Sequence, residues 1–179
     1  SSSLKTIGGG HNMYTKTSAG STSYYIARYG AFDFCTSLRE IEVPSSVETI
    51  EECAFIGCTN LSSVNFEQDS RLTHLKGGYA YKKYGSKIYY EAKSTFGCFQ
   101  DCVSLLSICI PSNVEVIDAC VFQNCSSLAS VTFEPNSKLR EFGDGCSGGT
   151  YYTFITGAFA KCTSLTSITI PASVEKIGI

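Results

Sequence analysis

The chain has 179 residues, 43% of them hydrophobic, so it is long enough for one ordinary domain with a sizeable core. Its 14 Lys and Arg nearly balance 16 Asp and Glu, and the net charge of −2 offers no global basic field for nucleic acid. No apolar run approaches the ~20 residues that a membrane helix needs, and the Ser-rich start lacks the layout of a secretory signal. Composition therefore argues for a folded protein and against nucleic-acid binding or membrane insertion of this segment.

One short template recurs five times along the chain. In each copy a phenylalanine is followed three residues later by a cysteine and then, three residues further on, by a leucine. The pairs are Phe32 and Cys35, Phe55 and Cys58, Phe99 and Cys102, Phe122 and Cys125, and Phe159 and Cys162. We interpret these ten residues as the structural spine of a repeat array in which each copy is one coil.

A short strand is predicted after each leucine, because apolar and polar residues then alternate, as at Ile41 and Val43 in the first copy and Ile168 and Ile170 in the last. Proline ends three of these strands, since it has no N–H to donate to a ladder. A second apolar pair completes each coil. Ordering a lone coil costs ~1–2 kcal/mol of conformational entropy per residue. Burial of its few inward side chains does not offset this cost, so the coils must stack.

The run AFxxCxSLxxIxIPxSVxxI resembles the BspA-like (treponemal-type) leucine-rich repeat. It occurs at residues 31–50 and 158–177 and, with small departures, at 98–117. The resemblance implies an α/β, β-rich leucine-rich-repeat solenoid of five to six stacked coils, with short parallel strands and short helical turns. It also implies a protein, on the cell surface or secreted, that adheres to a host matrix protein or another surface protein.

Every second coil carries an insertion, and we place the insertions at 9–29, 77–95 and 144–156. Ser3, Ser70 and Ser137 mark the longer period, and successive serines are 67 positions apart. Glycines at the bases of the insertions and β-prone residues such as Lys87 to Tyr90 predict β-hairpins. Insertions in a solenoid map to one face, often the binding face, so we expect these arms about 10 Å apart along one edge.

All 11 tyrosines lie in the insertions, which also hold six basic residues against two acidic ones and therefore carry a charge of +4. The predicted binding residues are Tyr24, Tyr25, Tyr29, Tyr81, Tyr89, Tyr90, Tyr151 and Tyr152, with Lys82, Lys83 and Lys87. Tyrosine offers a large apolar face, a hydroxyl and few rotatable bonds, which suits recognition. The alternative is that the tyrosines pack arm against arm. A basic, aromatic edge predicts an acidic protein partner, or another copy of the chain.

Ten cysteines leave the redox compartment open. The five spine cysteines favour small buried hydrophobes over a disulfide framework, and a bridge from Cys53 to Cys58 is disfavoured in a packed coil. His11 and His74 have no companion ligands in metal spacing and no evident orienting acid. We therefore predict no metal site, no cofactor and no enzymatic activity.

Two function classes stay open. The first is a surface adhesion or ligand-binding protein that uses the tyrosine-rich arms. The second is a structural protein whose solenoids assemble into a filament, end to end or side by side. Neither end of residues 1–179 has a polar capping repeat, so we expect a single solenoid that is a window of a longer array or that meets neighbouring copies.

Overall fold

The computed structural model describes residues 4–18, 21–84, 87–143 and 157–178. The strands are β1 (Thr6–Ile7), β2 (Gly9–Ser18), β3 (Ser21–Gly30), β4 (Glu40–Val43), β5 (Thr49–Ile50), β6 (Ser63–Phe66), β7 (His74–Leu75), β8 (Tyr79–Tyr84), β9 (Lys87–Thr95), β10 (Ser107–Ile110), β11 (Val116–Ile117), β12 (Ser130–Phe133), β13 (Glu141–Phe142) and β14 (Lys176–Ile177). The described residues form strands and turns but no helix. The predicted β-rich solenoid with short parallel strands is confirmed, and its phenylalanine segments are turns.

Six two-residue strands form one continuous parallel sheet. Its order is β1, β5, β7, β11, β13 and β14, which is also chain order, so each coil lies on the one before it. The second residue of each of the first five strands is buried, and Ile50, Leu75 and Ile117 are fully buried in one row. Ile7 to Leu75 is 68 residues and Leu75 to Phe142 is 67, so the first long period is one residue longer than predicted.

The four-residue strands occupy another face and pair in twos. β4 pairs with β6 and β10 with β12, both in parallel, whereas β6 and β10 belong to different sheets. A cleft of about 260 Å³ lies between β6 and β10, and one of about 530 Å³ lies between β12 and residues 169–173. Both openings fall where an insertion separates the coils. The strand predicted at Ile168 and Ile170 does not form, and a cleft separates this segment from β12.

The spine phenylalanines stack in a column through the described coils. Ring centroids are 5.0 Å apart for Phe32 and Phe55, 5.1 Å for Phe55 and Phe99, 5.6 Å for Phe99 and Phe122, and 5.3 Å for Phe122 and Phe159. All four pairs are within 6° of parallel. Aromatic pairs of this kind contribute ~0.5–1.5 kcal/mol beyond the area that they bury. Each turn is also tied to the next coil, for example by the Phe55 N–H donating to Cys98 O at 2.8 Å.

The spine cysteines form a second ladder beside the rings. Each thiol donates to the backbone carbonyl of the preceding spine phenylalanine: Cys58 to Phe32 (2.9 Å), Cys102 to Phe55 (3.3 Å), Cys125 to Phe99 (3.2 Å) and Cys162 to Phe122 (3.1 Å). Burial raises the pKa of Cys58 and of Cys162 to about 11. Cys35 is exposed, because no described coil covers it, and no disulfide joins any of the described cysteines. Four spine thiols are therefore buried, and they also act as donors.

Two insertions form antiparallel hairpins. β2 and β3 pair without interruption from Gly9 opposite Gly30 to Ser18 opposite Ser21. β8 and β9 pair with an irregularity between Tyr79 and Tyr81. The predicted hairpins are confirmed for these two insertions, and residues 144–156 lie outside the described part of the chain.

Glycine is required where each hairpin rejoins its coil. A Cβ on Gly30 would lie 2.0 Å from Cys53 O, and a Cβ on Gly97 would lie 1.8 Å from Cys120 O. The hairpin backbone therefore passes too close to the next coil for any side chain. Cys53 and Cys120 take the left-handed conformation, with φ of 61° and 64°, which turns their carbonyls toward these glycines.

Candidate binding surface at the hairpins

The first hairpin places three predicted tyrosines on β3. Tyr25 lies opposite Tyr14, Tyr24 opposite Thr15, and Tyr29 opposite Gly10. The Tyr29 ring covers Gly10, because a Cβ there would lie 2.9 Å from the Tyr29 hydroxyl oxygen, yet 49% of Tyr29 is exposed. Tyr29 therefore presents an aromatic surface near the foot of the hairpin.

The second hairpin brings predicted tyrosines and lysines opposite each other. Tyr81 pairs with Tyr90 and Lys82 with Tyr89, and the next pairs are Lys83 with Ile88 and Tyr84 with Lys87. Directly opposite residues in an antiparallel pair have Cβ atoms about 4.5–5.5 Å apart. The register therefore concentrates the predicted binding residues of this insertion on a few neighbouring rungs. Tyr151 and Tyr152, of the third insertion, lie outside the described residues.

The two hairpins are joined at their bases by Phe96. The His11 ring stacks on the Phe96 ring with centroids 3.8 Å apart and planes at 6°, and the Arg28 Cζ lies 5.6 Å from the same ring centroid. Phe96 is fully buried there. The sequence interpretation missed Phe96, although it precedes Phe99 by three residues, just as Tyr29 precedes Phe32. Neighbouring arms therefore meet at their bases, as parts of one surface.

Each described histidine is held by a carboxylate from the next coil. His11 Nδ1 lies 2.7 Å from Glu52 Oε2, and His74 Nε2 lies 3.0 Å from Asp118 Oδ2. Asp118 Oδ2 also accepts the Gly77 N–H at 3.2 Å, where the chain leaves the coil for the second hairpin. The prediction that neither histidine has an orienting acid is therefore wrong for His11, whereas His74 Nε2 has only the ion-pair contact, without hydrogen-bond geometry. These pairs span 41 and 44 residues of sequence, so only stacking of the coils brings them together.

A polar cleft of about 240 Å³ lies beside the hairpin bases. Arg28 of β3 and Thr95 of β9 line it, together with residues from three successive phenylalanine turns: Gln100, Asp101, Asn124 and Lys161. Asp101, Asn124 and Lys161 each come two residues after a spine phenylalanine and have φ of 63°, 63° and 61°. This left-handed position recurs in each turn. Side chains of different chemistry therefore lie one above another in successive coils.

The carboxylate in this cleft is already bound on both oxygens. Asp101 Oδ1 accepts the Asn124 Nδ2 at 2.8 Å, and Asp101 Oδ2 accepts the Gln100 Nε2 at 3.2 Å. Gln100 is buried, and its Oε1 accepts the Gly97 N–H at 3.2 Å. Asp101 therefore helps to hold one coil on the next through its hydrogen bond to Asn124. The cleft is also lined by two cationic side chains, Arg28 and Lys161.

In the part of the chain that the structure describes, no group of three or more His, Cys, Asp or Glu side chains is placed to hold a metal ion. No helix of the described residues is long and apolar enough to cross a bilayer.

Stacked parallel strands, a phenylalanine column and one coil per short sequence repeat define the chain as a leucine-rich-repeat solenoid. It belongs to the BspA-type leucine-rich repeat family, whose pattern matches residues 13–95 and 86–178 with six copies. Leucine-rich repeat domains are protein-interaction modules, and the family is generally non-enzymatic. The chain is thus a repeat protein of a class that binds other proteins.

Two solved structures are similar to the chain. A leucine-rich repeat protein from Eubacterium ventriosum has 23% identity and a TM-score of 0.55, over 82% of this chain and 30% of that one. The pneumococcal vaccine antigen PcpA has 22% identity and a TM-score of 0.40, over 57% of this chain and 20% of that one. The chain thus spans less than a third of the length of either protein. A comparison with curated protein sequences gave no match.

Proposed function

We propose that the chain binds a protein partner through its hairpin side, as part of a non-enzymatic adhesion protein that is secreted or displayed on the cell surface. The observation that carries this proposal is the packing of His11 and Arg28 of the first hairpin onto Phe96 at the foot of the second. Because adjacent arms share this contact, their tyrosines and lysines belong to one extended surface.

The chemistry of the arms suits a protein surface. Paired rungs such as Tyr81 with Tyr90 and Lys82 with Tyr89 concentrate aromatic and basic residues in the second hairpin, and Tyr29 is half exposed at the foot of the first. Tyrosine is enriched in interfaces because its ring buries a large area while its hydroxyl keeps a hydrogen bond. The insertions carry +4 in a chain whose net charge is −2, so they would attract an acidic partner. Host matrix and cell-surface proteins are the partners that we propose.

Binding can be tested with purified extracellular matrix proteins immobilised on a sensor surface. We expect the Tyr24→Ala/Tyr25→Ala and Tyr89→Ala/Tyr90→Ala variants each to weaken binding at least about tenfold, because interface tyrosines are common hot spots. The matched control is Ser107→Ala/Thr132→Ala, which changes two residues of the four-residue strands and should bind like the parent protein. Circular dichroism and urea unfolding would show that each variant keeps the solenoid fold.

Two results would contradict the proposal. One is unchanged binding in both tyrosine variants, and the other is an equal loss of binding in the serine and threonine control. Failure of the parent protein to bind any matrix protein or host cell surface would also count against it.

The alternative is a structural protein that assembles into filaments. Phe34 (63% exposed) and Leu106 (59% exposed) are large apolar side chains exposed on the surface of the described coils. Light scattering and electron microscopy at several concentrations distinguish the two functions. Filaments that lengthen with concentration would favour assembly, whereas short particles of constant size would favour binding.

A further inference from the structure

Two cationic side chains converge on the cleft at the hairpin bases. Arg28 enters from β3 and Lys161 from a phenylalanine turn. The Arg28 guanidinium lies over the buried Phe96 ring, with Cζ 5.6 Å from its centroid, so the ring helps to fix its position. Lys161 is exposed, and none of the described residues forms a hydrogen bond or ion pair with its ammonium. The cleft therefore combines one exposed cation with one that packs on a buried aromatic ring.

The remaining lining is polar and neutral apart from Asp101. Both Asp101 oxygens accept amide donors, from Asn124 at 2.8 Å and Gln100 at 3.2 Å. These hydrogen bonds hold the carboxylate in the turn and spread its charge. The described charged groups of the cleft are thus Arg28, Lys161 and Asp101, with a net charge of +1. The local field favours an anion.

The size of the cleft limits what it can hold. Its volume of about 240 Å³ is below the ~300–1,000 Å³ that is usual for small-molecule sites. A single side chain is a better fit than a free cofactor or substrate. A guanidinium matches the planar geometry of a carboxylate and can bind it through two parallel hydrogen bonds.

We propose that this cleft binds a carboxylate side chain, from a glutamate or aspartate in an acidic segment of the protein partner. This inference rests on the proposed function, because it supplies an anchoring point for the same partner. The insertions carry a net charge of +4, which also favours an acidic partner. An acidic segment lying across the hairpin bases would place one carboxylate between Arg28 and Lys161.

The test is titration calorimetry of the whole chain with a hexaglutamate peptide in low salt, with hexaglutamine as the uncharged control peptide. We expect the parent protein to bind hexaglutamate and not hexaglutamine, with affinity that falls as salt is added. Lys161→Gln should weaken binding about two- to fivefold, the range for one exposed ion pair. Arg28→Gln should weaken it more, since a charge-assisted hydrogen bond from the guanidinium is lost together with its charge.

Two further variants make the test specific. Asp101→Asn should strengthen binding, because it removes the one described negative charge from the cleft. Lys138→Gln is the matched control, since Lys138 is exposed and its Nζ donates to Asn113 Oδ1, in a different turn. It should bind like the parent protein. Arg28→Gln also removes a packing contact with Phe96 and could unfold the protein. In that case the result for Lys161→Gln decides the test, because Lys161 is exposed.

The proposal is overturned if the parent protein does not bind hexaglutamate, or if Lys138→Gln loses as much affinity as Lys161→Gln. It is also overturned if N-acetylneuraminic acid binds more tightly than hexaglutamate and Lys161→Gln abolishes that binding, since the cleft would then recognise acidic sugars. The tyrosine variants test the proposed function separately. Matrix binding that is lost with the tyrosines and unchanged in Lys161→Gln would refute only the carboxylate site.

Discussion

Phe99 is the central ring of the spine column and is fully buried. Its ring lies 5.1 Å from Phe55 and 5.6 Å from Phe122, so removing it interrupts the column and leaves a cavity. We expect Phe99→Ala to lower the free energy of unfolding by ~3–5 kcal/mol, the usual cost for a buried aromatic. Phe34→Ala is the control, because Phe34 is 63% exposed. Urea unfolding of both variants measures the difference, and equal losses would contradict the packing described here.

At the scale of residues, the sequence predicted the spine because each coil repeats the same inward positions. Phe55, Cys58 and their equivalents could be recognised from spacing alone. The sequence could not predict that the Cys58 thiol donates to Phe32 O, since that contact depends on how the carbonyls of one coil face the next coil. Phe96 was missed for a related reason. Its role depends on His11 and Arg28, which reach it only after the first hairpin has formed.

At the scale of elements, glutamates that follow β6 and β12 cap turns in the preceding coil. Glu67 Oε2 accepts the Ser45 N–H at 2.8 Å, and Glu134 Oε2 accepts the Ser112 N–H at the same distance. The hydrogen bond from the Ser45 backbone lowers the pKa of Glu67 below its ordinary value of 4.5. The interaction therefore links two coils through one ionised carboxylate.

This link predicts a pH-dependent effect of Glu67→Gln. Because the folded-state pKa is lowered, the stabilisation is present above the unfolded value of 4.5 and is lost as pH falls through the lower folded value. Glu67→Gln should therefore reduce the free energy of unfolding at pH 7 and have less effect at pH 3. Urea unfolding at both pH values tests this, with Glu42→Gln on the exposed face of β4 as control. An equal effect at both pH values would argue against the carboxylate cap.

Elements were predictable where local sequence decides them. The hairpins follow from glycines at their bases and β-prone residues between, and the strands β4 and β10 follow from alternation and a closing proline. The unpaired segment 167–170 has the same alternation. Whether this segment forms a strand depends on whether it can pair with β12, from which a cleft separates it. The local sequence pattern does not encode that separation.

At the scale of the whole molecule, the solenoid should tolerate removal of one long period. Deleting residues 51–117 joins Ile50 to Asp118, and Ile50 and Ile117 occupy the same place in the continuous sheet. Phe32 would then stack on Phe122, and Gly30 would meet Cys120, which has φ of 64° like the 61° of Cys53. Stability in repeat proteins is roughly a sum over neighbours, so the shortened chain should fold with a lower free energy of unfolding.

Circular dichroism and urea unfolding would test this deletion against a control that removes 51–106. The control joins Ile50 to Ser107 and so leaves the coil at the junction without its phenylalanine turn. We expect the first variant to unfold in one cooperative transition and the control to be less stable, because its two halves no longer stack. If both behaved alike, the coil register would not govern folding.

Stacking also explains which long-range contacts escaped prediction. The repeat predicted the order of coils, because each one repeats its inward residues. It did not predict the pairs His11 with Glu52 and His74 with Asp118, which occur at single places and join residues 41 and 44 positions apart. Non-repeating contacts of this kind build the hairpin bases, so the candidate site was less predictable than the fold that supports it.

The buried sulfurs have a chemical consequence. Oxidants and alkylating agents attack thiolates, and Cys102 is fully enclosed and kept protonated by its surroundings, with its pKa raised well above 9.0. Such a reagent would reach the interior sulfur only after neighbouring turns had separated. Covalent labelling of Cys102 would therefore report local opening of the stacked coils. The labelling rate would measure how often the centre of the molecule opens.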